Sequence, residues 1–358
     1  MKNKTKSILL FNGLKNGHLF AFFICIFCFG FWTCKDEIDV TASWKSIPVV
    51  FGILNATDDS TFIRINKAYL NQNAQDAQFA NNPDSLFFDS LNVVIEEFLN
   101  GNFTGNKVNL QKINAKQWGI FKDSGAFAYQ NHYLYYTDFP FKESIFRETY
   151  SYRLSINVIN KNGKAEKYSA ITKSVGTINS TSPRFDRPPV FLNISDEGDF
   201  RILFSEAFHA TTYDLIIKMK YEEFLKNKPQ EKELKSLSYT GQSGVQGNPK
   251  GGDINALSFP GAAYYNFLES SINANSNTKR EIKSFDVIIV GGDEQLSTYI
   301  EVSKPSIGIV QKKPDYTNVE GGRGIFGSKF ERRYKNIAVN PDMLTRLRKN
   351  EKTAKLNF

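Results

Sequence analysis

Thr149-Tyr150-Ser151-Tyr152-Arg153-Leu154-Ser155-Ile156-Asn157-Val158-Ile159 is the most regularly alternating stretch of the chain. Apolar and polar side chains exchange places at every step, and a period of two belongs to a half-buried strand. The stretch runs into Asn160-Lys161-Asn162-Gly163, whose Asn-Gly pair favours a primed hairpin turn, and residues 165–171 supply the returning strand. The pattern repeats upstream. Asn92-Val93-Val94-Ile95-Glu96-Glu97-Phe98 ends at Asn100-Gly101, another hairpin signal, and Lys107-Val108-Asn109-Leu110-Gln111-Lys112-Ile113 alternates cleanly. Further upstream, Ser60-Thr61-Phe62-Ile63-Arg64-Ile65-Asn66-Lys67 alternates except at Phe62, and Asn55-Ala56-Thr57-Asp58-Asp59 is the turn that joins it to the apolar run of residues 47–54.

Short strands at close spacing with turn residues between them predict a mostly β protein whose first half is a sandwich of immunoglobulin-like build. Residues 174–189 are rich in Ser, Thr and Pro, which neither pair in a sheet nor continue a helix, so a linker is expected there. The second half restarts with Asp199-Phe200-Arg201-Ile202-Leu203-Phe204 and the strand of residues 212–221, a pair that resembles the opening of a fibronectin-type module. A charged excursion (222–235), a Gly-rich surface loop (241–252) and a helix (262–274) follow. Residues 285–292 form a buried-strand pattern ending in Gly291-Gly292, with residues 296–302 read as another strand or a short helix. Without Gly-x-Gly-x-x-Gly and without a following helix, that strand does not predict a dinucleotide site. Asn340 and Pro341 suit the cap and first position of a last helix over 342–350, with Met343, Leu344 and Leu347 on one face. The expected fold is thus two immunoglobulin- and fibronectin-like β-sandwich domains in tandem, the second with a helical insertion and a C-terminal helix.

The N-terminus carries Lys2, Lys4, Lys6 and Lys15, no acid before Asp36, and an apolar run over 19–32. A secretory signal has this build, and the run is short of the roughly 20 residues that a spanning helix needs. Phe31-Trp32-Thr33-Cys34 resembles a bacterial lipobox, although Thr33 stands where Gly, Ala or Ser is usual. The resemblance implies acylation of Cys34, which then becomes the mature N-terminus and leaves no other cysteine for a disulfide. Lys35-Asp36-Glu37 resembles the charged signal that sends lipoproteins of Bacteroidetes to the outer face of the outer membrane. The expected organisation is a signal peptide (1–33), a lipidated tether (34–46), an N-terminal β-sandwich domain (47–178), a linker (179–190), a C-terminal β-rich domain with a helix (191–335) and a basic helix and tail (336–358).

The chain has 45 Lys and Arg against 37 Asp and Glu. Removing the four signal lysines leaves 41 against 37, a balance of +4; residues 329–358 alone hold nine basic residues against three acidic, so the body before them is slightly acidic. A basic tail attracts nucleic acid or acidic lipid, and in an exported protein nucleic acid is the poorer reading, so a solvated, partly helical tail is expected. Glu96 and Glu97 are adjacent on a strand and face opposite sides, so they cannot act together on one bond. Only His132 and His209 remain after the signal, and no His-Glu-x-x-His occurs, so triad, thiol and zinc-protease chemistries are poorly supplied. The composition predicts no cofactor and no catalytic residue. Residues 128–139 are the densest aromatic stretch, and Tyr129, Tyr133, Tyr135 and Tyr136 form a candidate ligand platform against the plainer reading that they pack in the core.

The Gly-dense segment of residues 316–328, taken with Val49-Val50-Phe51-Gly52-Ile53-Leu54, resembles an uncharacterised domain family of Bacteroidetes outer-membrane lipoproteins, often encoded beside energy-coupled (TonB-dependent) transporters. The resemblance implies a lipid-anchored protein on the cell exterior and no catalytic residues. Asp59-Ser60-Thr61, Asp84-Ser85-Leu86 and Asp89-Ser90-Leu91 resemble O-glycosylation tripeptides of the same group, with Ser60, Ser85 and Ser90 as acceptors. The expected function is non-enzymatic: a surface lipoprotein that binds a ligand or assists a transporter. The alternatives are a surface hydrolase of glycans or peptides, in which sequence-distant carboxylates meet, and an adhesion protein.

Overall fold

Where the sequence alternates, the computed structural model has strands; it describes residues 47–68, 86–123, 132–159, 165–187, 189–304 and 315–358. The first half supplies β1 (Pro48–Asn55), β2 (Thr61–Lys67), β3 (Leu91–Leu99), β4 (Asn102–Asn109), β5 (Gln111–Asn114), β6 (Tyr133–Thr137), β7 (Tyr150–Ile159) and β8 (Ala165–Lys173). The second supplies β9 (Asn179–Ser182), β10 (Phe191–Leu192), β11 (Asp199–Ser205), β12 (Thr212–Leu225), β13 (Glu233–Gln246), β14 (Ile254–Pro260), β15 (Thr278–Gly292) and β16 (Arg323–Val339). Helices α1 (Gly261–Ser271), α2 (Glu294–Ser303) and α3 (Pro341–Lys349) join them among the described residues. The protein is mostly β, with several sheets.

The largest sheet runs β13-β12-β15-β16-β1-β2-β6-β5, with β10 pairing the end of β16. Smaller sheets are β4-β3-β7-β8 and β14-β11-β9. One core packs β1 and β2 against the inward side chains of β3, β7 and β8, among them Ile63, Ile95, Leu154 and Ile156, each at most 1 % exposed. The other packs β12, β15 and β16 against β11, β14, α1 and α3, around Phe204, Leu215, Tyr265 and Phe285. A fully buried side chain of this size contributes about 1.5–3 kcal/mol, so each core is ample for its layers.

β16 touches both cores, through Phe326 in the first and Phe330 and Ile337 in the second. It pairs antiparallel with β15 and parallel with β1, in register from Val49↔Arg323 to Asn55↔Lys329. Segments read as separate domains therefore share one hydrogen-bonded sheet, and Ser46–Phe358 forms one compact unit. Residues 49–54 and 323–328, parts of the two stretches that carry the resemblance, pair with each other here. Gly324 makes their approach feasible: at φ +93 a Cβ there would stand 1.9 Å from Val50 O.

Several expectations need correction. Residues 179–182, expected in a linker, form β9, whose partner is β11. The charged excursion of residues 222–235 is the far end of the β12–β13 hairpin, and β13 continues through Gly241 to Gln246, where the sequence suggested a flexible loop. Gln242 Oε1 there accepts from Ser258 N at 2.7 Å, which ties β13 to β14. A helix does follow Gly291-Gly292: Asp293 caps α2 by accepting from Leu296 N at 2.9 Å. The basic tail is packed, not solvated. Met343, Leu347 and Leu356 are fully buried, and Arg280 Nη1 donates to Leu356 O at 2.6 Å. As expected, Asn340 caps the last helix and Pro341 begins it, and Asn100-Gly101 turns directly into β4, with φ of 50° and 82°.

Candidate functional site

β1 stops at Asn55, opposite Lys329, while β16 continues to Val339. β15 holds one edge of β16 as far as Ile337, and β10 meets the strand only at Ala338 and Val339. Among the described residues, no strand pairs with the other edge of β16 from Phe330 to Ile337. A groove of about 670 Å³ opens there. Thr57, Asp58, Asp59, Ser60 and Phe62 line it from the β1–β2 turn, and Glu331, Arg332, Arg333 and Lys335 line it from β16. Successive side chains of a strand point to opposite faces, so a groove touching residues 331, 332 and 333 in turn must run along the edge of the strand.

Asn55 shapes the turn. Its buried Oδ1 accepts from Thr57 N at 3.2 Å and from Thr57 Oγ1 at 2.9 Å, and Asp58 N donates to Asn55 O at 3.2 Å. This Asx-type turn leaves Asp58 and Asp59 exposed. On the other wall, Glu331 is buried and paired with both Lys329 and Arg333. Burial pushes the Glu331 carboxyl up, but the hydrogen bond and charge of Lys329, with the Arg333 charge, outweigh it and hold the group below its ordinary range. Arg332 is also committed, since its Nε donates to Ile178 O at 2.6 Å and its guanidinium lies 5.4 Å from the Phe330 ring. Asp58, Asp59 and Lys335 are different. All three are exposed, and among the described residues none has an ion-pair partner.

Phe62 extends the groove into an aromatic rim. It sits across from Tyr136 in the β2–β6 ladder, ring centroids 5.3 Å apart. Trp118 lies 4.4 Å from Tyr136 and 6.1 Å from Phe62, and it is 49 % exposed. A 3-10 turn, Ala115–Trp118, delivers it: Asn114 caps the start by accepting from Lys116 N, and Gly119 closes the end at φ 72°. The surface thus joins flat apolar rings to solvated charges of both signs and an open backbone edge. Rings of this kind suit a protein or sugar surface, and free N–H and C=O groups suit another strand.

The four tyrosines of the predicted platform do not share a face. Tyr135 is 2 % exposed within the first core, and burial pushes its hydroxyl up to about 12. Tyr133 stacks edge-on against Phe87 at 5.3 Å, with Lys112 Nζ 4.7 Å from its ring. Only Tyr136 joins the outward cluster, and Tyr129 lies outside the described residues, as do Cys34, Lys35, Asp36, Glu37 and Ser85. Ser60 lines the groove and is half-buried, with Thr61 already in β2; Ser90 is exposed just before β3. Trp118 and Phe62 were not picked out by the sequence as site residues, although the break in alternation at Phe62 was the signal.

The candidate acids separate as the strand geometry requires. Glu97 is buried and accepts from Asn106 Nδ2 at 2.9 Å, Thr104 Oγ1 at 3.1 Å and Lys142 Nζ at 3.3 Å, while Glu96 lies 3.9 Å from Arg153 on the other face. His209 Nε2 is 3.3 Å from Thr149 Oγ1. Among the described residues, no group of three or more His, Cys, Asp or Glu is placed to hold a metal ion. No family model matches the chain, and no curated protein matches its sequence.

Proposed function

We propose that the chain is a non-enzymatic surface lipoprotein, tethered through Cys34 to the exterior of the outer membrane, whose body recognises a partner through the groove beside β16. The observation that carries this reading is the coincidence at one place of exposed Asp58, Asp59 and Lys335, which make no ion pair among the described residues, with a ring cluster in which half-buried Phe62 and Tyr136 support exposed Trp118. Clustered aromatic rings bordered by charged side chains are the material from which binding hot spots are made. A role beside an outer-membrane transporter fits the tether and the resemblance. The finer description of the fold as two immunoglobulin-like sandwiches is not needed for such a role, since a rigid β body presenting one groove suffices.

The test is affinity capture from detergent-solubilised envelopes with the full chain, using wild type, Cys34→Ala and the triple variant Asp58→Ala, Asp59→Ala, Lys335→Ala. Wild type is expected to retain a membrane transporter that the triple variant loses. Labelled palmitate is expected on wild type and not on Cys34→Ala. Equal capture by wild type and triple variant removes the groove from the function, and wild type without palmitate removes the tether.

A further inference from the structure

We propose that the groove takes its partner as an added β-strand: an extended peptide segment pairs through its backbone with the open edge of β16, beyond the point where β1 leaves it. This rests on the groove being the binding surface and names what fills it.

Three observations lead to an extended peptide. The edge that β1 occupies in parallel up to Lys329 continues without a partner strand, among the described residues, past Arg333. Its N–H and C=O groups are therefore the same kind of ladder that β1 already uses, available for one more strand. The groove lies along this edge and not over a face, as its contact with three consecutive residues of β16 requires. Finally, its two walls carry opposite free charge, Asp58 and Asp59 on the turn and Lys335 on the strand, with Arg333 46 % exposed beside Glu331. A strand lying between them sends alternate side chains up and down, so one carrying both Lys or Arg and Asp or Glu meets a complement on each side. The aromatic rim at Phe62 then receives an apolar residue of the same segment.

The far edge of the sheet supplies an internal control. Among the described residues β13 also pairs with a strand on one side only over its fourteen residues, but its outward residues are largely Ser, Thr and Gln. If any free edge sufficed, β13 would accept a peptide equally well.

The experiment selects from a library of random ten-residue peptides on the full chain, then measures binding and backbone hydrogen exchange with the enriched peptides. Expected are binders that contain both charge signs and lack central proline, and that lose about tenfold in affinity for each alternate amide that is N-methylated, as one lost backbone hydrogen bond implies. Exchange is expected to slow in segments covering residues 56–62 and 329–335 and to stay unchanged over 233–246. Asp58→Lys with Asp59→Lys, on an exposed turn, should weaken the same peptides at least about tenfold. Binding at the groove that ignores N-methylation overturns strand addition and leaves the groove's binding role standing. Protection over 233–246 overturns the special status of β16. Failure to enrich any peptide, with oligosaccharides binding at Trp118 instead, overturns the peptide assignment.

Discussion

Two charged regions of this protein use the same residue types and reach opposite ends. At the far end of the β12–β13 hairpin, Glu222 and Glu281 stand directly across from each other in the ladder, a like-charge pairing that is unfavourable on its own. Lys232 bridges them, at 3.0 Å from Glu222 and 2.9 Å from Glu281. Its hydrogen bonds hold both carboxyls below their ordinary range. Glu223 is served by Arg280 at 2.7 Å and Lys235 at 2.5 Å. In the groove beside β16, Asp58, Asp59 and Lys335 have no such partners among the described residues. Charge density is therefore common to the two regions; what differs is that the fold pairs the charges of the hairpin and leaves Asp58, Asp59 and Lys335 without an ion pair among the described residues.

The comparison is broken most directly at Arg280, the member of the hairpin cluster with the most to lose. Its side chain is 3 % exposed and serves Glu223, Leu356 O and Asn273 O. Arg280→Met leaves Glu223 without its buried partner and the Leu356 carbonyl without its side-chain donor, and should cost about 3–5 kcal/mol. Urea unfolding followed by circular dichroism measures it. Lys232→Ala, whose ion pairs are solvent-screened, should leave the unfolding midpoint close to that of wild type in the same assay. Equal losses would show that exposure does not separate these pairs.

Asp293 offers an intermediate case, a buried carboxylate held by hydrogen bonds without a cation. It accepts from Thr172 Oγ1 at 2.5 Å and from Leu296 N, and burial pushes its pKa up to about 6. A carboxyl raised in the folded state stabilises the fold fully below its unfolded pKa, and that contribution disappears as pH rises through the folded value. The window is therefore about pH 4 to 6, and the shift of about two units corresponds to roughly 3 kcal/mol. Asp293→Asn keeps a competent helix cap and removes the ionisation. Thermal midpoints of the two proteins should agree near pH 4 and separate by pH 7, with the variant the more stable by up to about 3 kcal/mol. Parallel curves across that range would place the Asp293 titration elsewhere.

Much of the architecture was legible because local rules suffice for it. Alternation located β2 and β7, an apolar run bounded by a turn located β1, Asn100-Gly101 ended β3 and gave its hairpin, and Asn340-Pro341 gave the start of the last helix. What was not legible is non-local. Nothing in residues 49–55 says that their partner lies at 323–329, since parallel pairing is chosen by cores assembled from both ends of the chain. The same applies to the tail, whose charge concealed Leu356 and Phe358 as core residues. At the site, the aromatic density of residues 128–139 drew the eye to tyrosines that the strand period then distributes over two faces. Phe62 was the better clue: an aromatic side chain out of phase with Ile63 and Ile65 must lie on the opposite face of the sheet, and there it packs half-buried beside Ile113 and Leu134 and meets Trp118.

The smallest effect on stability is expected where the effect on binding is greatest. Asp58→Asn and Asp59→Asn alter exposed side chains that make no ion pair among the described residues, and Asn is an equally good turn former. The turn itself is held by Asn55 and Thr57, which the changes leave intact. Unfolding free energies should therefore stay within about 0.5 kcal/mol of wild type, singly or together. Removing two adjacent like charges should, if anything, make the double variant marginally the more stable at low salt, a gain that vanishes as ionic strength shortens the Debye length. A loss above about 1 kcal/mol in either variant would mean that these acids already serve the fold as Glu222 and Glu281 do, and the distinction between the two charged regions would collapse.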